Sequence, residues 1–187
     1  MEKKCGTIKL ILGCMFSGKT TELQREYHEW SSINKKPLCI NYVDDNRYGE
    51  NYNNMYTHNE FGVECIKVKN LRDVDMKIIN DVEIILINEG QFFSDLVEYC
   101  QMWCEEYGKH IIVCGLDGDF KRKSFGRILD LIPLADSFEK LTAYCKICSD
   151  GTKAVFTHRR STESTQVVIG ASNYEALCRK CYLEQTK

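Results

Sequence analysis

The run Gly13-Cys14-Met15-Phe16-Ser17-Gly18-Lys19-Thr20 carries the most explicit chemistry in this chain of 187 residues. It fits G-x-x-x-x-G-K-[ST], a loop that turns successive backbone N–H groups toward a phosphate chain. Gly13 and Gly18 allow the tight turn, and the amides of Met15, Phe16 and Ser17 lie between them. Lys19 offers a point charge to β- and γ-phosphates, and the Thr20 hydroxyl suits Mg²⁺. A helix opening there adds the positive end of its dipole. The implied chemistry is the binding of a nucleoside triphosphate.

A second constellation closes the chain. Cys145-x-x-Cys148 is followed, with 29 residues between, by Cys178-x-x-Cys181. Two such knuckles can set four thiolates around Zn²⁺ at about 2.3 Å, and four protein ligands make a structural site. Disulfide pairing is the competing reading; the start MEKKCGTIKL, which lacks an export signal's apolar stretch, argues against it. A third set stands where apolar runs end. Asp45 and Arg47 follow Leu38–Val43, and Asn88-Glu89 follow Val82–Ile87. Strand ends of this kind face the ligand in open α/β sheets, although plain solvated loop charges account equally for Asp45 and Arg47. A metal-holding acid is expected after the Val82–Ile87 run, yet the first residue there is Asn88, with Glu89 beside it.

These groups need elements to hold them. Thr7–Leu12, Leu38–Val43, Val63–Val68, Val82–Ile87 and His110–Leu116 read as strands, several of them apolar throughout. Thr21–Ser32 reads as a helix with Leu23, Tyr27 and Trp30 on one face. Leu71–Asn80 reads as a short helix, and Phe93–Tyr107 as an amphipathic one whose stripe is Leu96, Cys100, Trp103 and Tyr107. The alternation over residues 7–142 predicts a doubly wound α/β domain with a parallel sheet. We therefore expect a P-loop domain over 1–142 and a small zinc-binding domain over 143–187.

Composition narrows the function. With 43% apolar residues the chain can bury a core, and its net charge of −2 disfavours nucleic-acid and membrane partners. The basic cluster Lys121-Arg122-Lys123 beside Phe120 and Phe125 reads as a local phosphate-facing loop. There are eleven cysteines; Cys39, Cys65, Cys100, Cys104 and Cys114 fall within predicted elements as small core residues, which fits a reducing, cytoplasmic setting.

Taken in order, GCMFSGKT, NEGQFF, LDGDFKRKSFGRILDLIPLADSFEKLTAYC and CRKCY resemble the type II thymidine kinases, the cellular and poxviral deoxynucleoside kinases. The resemblance spans about Thr7 to Tyr182. It implies transfer of phosphate from ATP to the 5′-hydroxyl of thymidine, a P-loop core with Mg²⁺, and a zinc-held lasso over the nucleoside. Glu89 matches the general base, and Arg47 the arginine near the transferred phosphoryl, with Asp45 orienting it or helping at the metal. Met15, Phe92, Leu116, Phe120, Phe125 and Thr157 match the base pocket. Tyr174 matches the lasso tyrosine, though core packing also accounts for it, and backbone at Val168, Ile169, Gly170 and Ala171 would read the thymine edge. A homotetramer inhibited by dTTP is implied as well. Two residues depart from the family: Cys14 stands where proline is common, and Asn88 where aspartate is usual. The competing class is a catalytically impaired zinc-ribbon protein that binds nucleic acid on a P-loop core; a P-loop motor or switch ATPase is a third.

Overall fold

The computed structural model describes residues 5–43, 54–56, 62–161, 165–166 and 173–186. The chain begins with β1 (Thr7–Gly13), turns through the glycine-rich loop into α1 (Lys19–Ser32), and returns along β2 (Leu38–Tyr42). A short antiparallel pair follows, β3 (Asn54–Tyr56) with β4 (Gly62–Glu64), then β5 (Ile66–Val68) and α2 (Met76–Asp81). Next come β6 (Ile84–Ile87), α3 (Leu96–Glu105), β7 (His110–Gly115) and β8 (Ser137–Leu141). The end of the chain holds β9 (Ala143–Tyr144), β10 (Lys153–Ala154), β11 (Phe156–Arg159), β12 (Tyr174–Leu177) and α4 (Arg179–Gln185).

Six described strands form one parallel sheet in the order β5-β2-β6-β7-β1-β8. The apolar runs explain it. Ile8, Leu10, Leu12, Ile40, Ile85, Ile87, Ile111 and Val113 point to one face, where α3 supplies Leu96, Cys100 and Trp103. The alternate residues Ile11, Cys39, Ile84, Leu86, Ile112 and Cys114 point to the other, against Leu23, Tyr27 and Trp30 of α1. A strand that packs on both faces needs no polar alternation, which is why these runs are mostly apolar. Chain order reverses about β1, whose neighbours are β7 and β8 while β2 lies beyond β6. The crevice beyond the carboxyl ends of such strands is where ligands of doubly wound sheets sit. A third core joins Cys14 of the glycine-rich loop to Ala143, Ala154, Ala176, Leu177 and Tyr182 of the closing segment.

Some boundaries differ from expectation. The helix expected over Leu71–Asn80 is a 3-10 turn at Leu71–Asp73 followed by α2. The break comes at Asp75, extended in backbone, whose carboxylate accepts from the Lys77 N–H and starts a new helix. The strand expected over Val63–Val68 divides between β4, paired with β3, and β5, in the main sheet. Tyr107 lies beyond α3 and is exposed, because Gly108, at φ 65°, and Lys109 turn their N–H groups back onto Cys104 and Trp103.

Candidate active site

Three parallel strands end at one edge, and each delivers a part of the site. From β1 comes the phosphate loop. Gly18 takes φ 86°, a left-handed conformation that favours glycine, and caps α1. Phe16 is also left-handed at φ 64° and stands exposed. Lys19 is buried at the first turn of α1 with its Nζ 2.8 Å from the Cys14 carbonyl oxygen, so it folds across the loop that it follows. Thr20, half-buried, is next on the helix, and Ser17 places a buried Oγ close to Gly13. Helix dipole, lysine and hydroxyl thus converge, the arrangement a triphosphate with Mg²⁺ requires.

From β6 come Asn88 and Glu89. Asn88 is buried at 2% exposure; its Nδ2 donates to Asn41 Oδ1 at 3.1 Å and its Oδ1 accepts from the Cys114 thiol at 3.0 Å. Glu89 is also buried, at 5%, and holds φ 56°, ψ 42°, a strained backbone for a residue with a side chain. Its Oε2 accepts from Gln91 Nε2 at 2.5 Å. From β7 come Leu116 and a tight loop whose Asp119 accepts from the Lys121 and Lys123 N–H groups. Phe125, on that loop, meets Phe92 edge-on at 5.3 Å, and Phe92 stacks on Tyr42 at 5.1 Å.

The closing segment reaches the same edge through β11. Thr157 Oγ1 accepts from the Met15 N–H at 3.0 Å, and Cys14 donates its thiol to the Ala154 carbonyl at 3.6 Å. Two residues on, Arg159 is buried, stacks 3.7 Å above the Phe120 ring, and donates to the Gln166 carbonyl and Tyr174 hydroxyl at 2.7 and 2.9 Å. It also donates to the Thr165 carbonyl, and Gln166 Nε2 reaches Asp119 Oδ2 at 3.0 Å. A cavity of about 240 Å³ opens where these pieces meet, lined by Cys14, Asp117, Asp119, Arg122, Phe156 and Thr157.

The structure thus brings the expected residues into two linked groups. Glu89, Phe92, Leu116 and Phe125 are in one; Met15, Phe120, Thr157 and Tyr174 are in the other. The loop from Leu116 to Phe125 connects them. Asp45, Arg47, Val168, Ile169, Gly170 and Ala171 lie outside the described residues. Sequence reasoning missed Gln91, Arg159 and Asn41. Only Gln91 carried a signal, a polar side chain inside an otherwise apolar turn.

The four closing cysteines form one cluster, with all sulfurs within 4.8 Å of one another. Cys148 Sγ stands 3.5 Å from Cys181 and 3.9 Å from Cys178, the edge length of a tetrahedron with metal–sulfur bonds of about 2.3 Å and far beyond an S–S bond. Burial works to raise the Cys145 thiol, but hydrogen bonds with backbone at Cys178, Cys148 and Ile147 bring it down to about 6. Cys181 is pushed up, first by its hydrogen bond with Cys148 and then by burial. One thiolate forms readily, while full ionisation calls for a cation at the centre. Zn²⁺ fits this donor set. Cys178 also caps α4, which carries Cys181.

The family model described as thymidine kinase matches residues 6–182. The thymidine kinase of Variola virus is 44% identical over 180 residues, covering 96% of this chain and 98% of the relative. That of Vaccinia virus (strain Western Reserve) is 43% identical over the same coverage. The human protein named thymidine kinase, cytosolic, is 43% identical over 184 residues, 98% of this chain and 76% of the relative. Among the described residues no helix is long and apolar enough to cross a membrane.

Proposed function

The chain belongs to the thymidine kinase family, and from that premise we propose that it transfers the γ-phosphate of ATP to the 5′-hydroxyl of thymidine, giving dTMP, with deoxyuridine as a second acceptor. The observation that carries the reading in physical terms is Glu89, a buried carboxylate on strained backbone at the end of β6, on the same sheet edge as the phosphate loop that follows β1. Phosphoryl transfer asks a protein mainly for positioning and charge stabilisation, plus one group to take the hydroxyl proton. Lys19 and the loop amides of Gly13 to Thr20 would hold the ATP phosphates. Mg²⁺, held by Thr20 and phosphate oxygens, would neutralise charge on the transferring group. Glu89 accepts the proton of the attacking hydroxyl, and Arg47, with Asp45 orienting it, belongs by resemblance near the transferred phosphoryl. Phe92, Phe125, Leu116 and Phe120, with Met15, Thr157 and Tyr174, offer the apolar walls that a thymine ring needs.

The Cys145–Cys148–Cys178–Cys181 cluster would hold Zn²⁺ as a structural tie for residues 143–187, whose backbone at 168–171 reads the base, on the nucleotide-binding core of 1–142. Cytoplasmic residence, a homotetramer and feedback inhibition by dTTP complete the reading, all three by family likeness. The test is ATP-dependent phosphorylation of thymidine by wild type and Glu89→Gln. Glu89→Gln should leave ATP binding intact and lower kcat by about 10²-fold or more. A kcat near that of wild type would remove Glu89 from the chemistry, and no thymidine phosphorylation by wild type would overturn the function.

A further inference from the structure

Gln91 is a buried amide, 3% exposed, in the 3-10 turn Gly90–Phe92 that follows Glu89. Its two ends are not interchangeable. The backbone N–H of Leu116, at the end of β7, can only donate, and Gln91 Oε1 lies 3.0 Å from it. That contact fixes the rotation of the amide, so Nε2–H₂ must face the other way, where Glu89 Oε2 receives it at 2.5 Å. The fit is enforced sterically. A Cβ on Gly115 would stand 2.3 Å from Gln91 Oε1, and one on Gly126, at φ 58°, would stand 2.0 Å from the Gln91 carbonyl oxygen. Two glycines from separate parts of the chain therefore clear the space that this one residue occupies.

We infer that Gln91 is a positioning residue for the reaction: anchored on the Leu116 N–H, it holds Glu89 Oε2 as an acceptor and so fixes the plane of the carboxylate that takes the proton. The inference rests on the reading of Glu89 as general base. In the step, the 5′ O–H bond breaks, the proton joins the Glu89 carboxylate, and the electron pair remains on the oxygen that bonds to the γ-phosphorus as ADP leaves. An N–H donor on Oε2 suits a carboxylate that must begin ionised and keep a set orientation toward substrate. Without it, a residue on strained backbone keeps its charge but loses this orienting contact.

The test is a double-mutant cycle on the full chain with ATP and thymidine. Gln91→Met keeps the bulk and removes both polar ends; it should lower kcat about tenfold while either KM changes by less than about twofold. Added to Glu89→Gln, it should lower kcat no further, because the group it aims is already gone. Gln91→Glu separates positioning from packing. While protonated, the introduced carboxyl accepts from the Leu116 N–H and donates to Glu89 as the amide does; once ionised, it sets two carboxylates face to face at hydrogen-bond range. The kcat of this variant should match wild type at low pH and fall about tenfold, relative to wild type, as pH rises from about 6 to 9. Should Gln91→Met fail to fold, the Gln91→Glu profile decides alone. Coincident pH profiles, or additive losses in the double variant, overturn the inference while leaving Glu89 as base. A Glu89→Gln enzyme as fast as wild type sinks the reading beneath it instead.

Discussion

Asn88 shows how far one residue can be understood from its neighbours. The Tyr42 N–H donates to Asn41 Oδ1 at 3.0 Å, so that oxygen is an acceptor, and Asn88 meets it with an NH₂. The Cys114 thiol then donates to Asn88 Oδ1. An aspartate in this place would set an oxygen against Asn41 Oδ1, forcing that amide to turn and give up the Tyr42 N–H. Asn88→Asp should therefore destabilise the protein by about 1–3 kcal/mol in denaturant titration, the cost of a buried polar mismatch. The added charge should also lower the Mg²⁺ concentration needed for half-maximal activity at saturating ATP and thymidine, since a carboxylate near a divalent ion attracts it. Thymidine affinity should barely change. Unchanged stability would break the hydrogen-bond account, and coincident Mg²⁺ curves would place the residue outside metal binding. The sequence marks Asn88 as a strand-end polar residue; it is silent on Asn41 and Cys114, which come from strands on either side of β6. Contacts between strands far apart in the chain leave no trace in local spacing.

At the level of elements, β11 acts as a clasp. Alternate residues of a strand share a face, so Thr157 and Arg159 project together. Thr157 takes the N–H of Met15 in the phosphate loop, and Arg159 gathers the carbonyls of Thr165 and Gln166 with the hydroxyl of Tyr174. Arg159 also sits directly across from Tyr174 in the β11–β12 pair. A guanidinium meets three acceptors in a plane and stacks on Phe120, which an ammonium cannot do. Arg159→Lys should raise the thymidine KM about tenfold through lost positioning of Tyr174, with the ATP KM little changed. Equal effects on both KM values would mean that the clasp serves the whole fold. The order of the elements is legible in the sequence because both faces of the sheet are buried and the runs β1, β6 and β7 are nearly continuous apolar stretches. The β11–β12 pair is not. Its residues alternate without a strong apolar face: Ala176 and Leu177 pack into the third core, while Arg159 is buried through its stack on Phe120 and its bonds to Tyr174 and the chain beyond it.

For the molecule as a whole, the question is how the cysteine cluster communicates with a phosphate loop on the opposite end of the sequence. The third core gives the path, since Cys14 packs with Cys145, Cys178 and Cys181 and bonds the Ala154 carbonyl. Tyr182, from the helix that carries Cys181, donates to the Phe120 carbonyl at 2.6 Å, and Arg122 lies 4.7 Å over its ring. The described residues of the closing segment therefore touch both the phosphate loop, through Ala154 and Thr157, and the loop after β7, through Tyr182. We expect about one Zn²⁺ per chain by metal analysis, with four thiols that become titratable under denaturing conditions once the metal is chelated. Cys145→Ser, or removal of metal by chelator, should raise the thymidine KM most, because Tyr174 and Thr157 stand on this segment. The ATP KM should rise too, by a few-fold, because Met15 and Cys14 lose their partners in β10 and β11. A small ATP effect accompanying a large thymidine effect is the signature of a tie that reaches the phosphate loop by two hydrogen bonds and the nucleoside by a whole segment. Metal-free protein with unaltered KM values would show that the closing segment holds its shape without the ion, and blocked thiols in its place would establish disulfides.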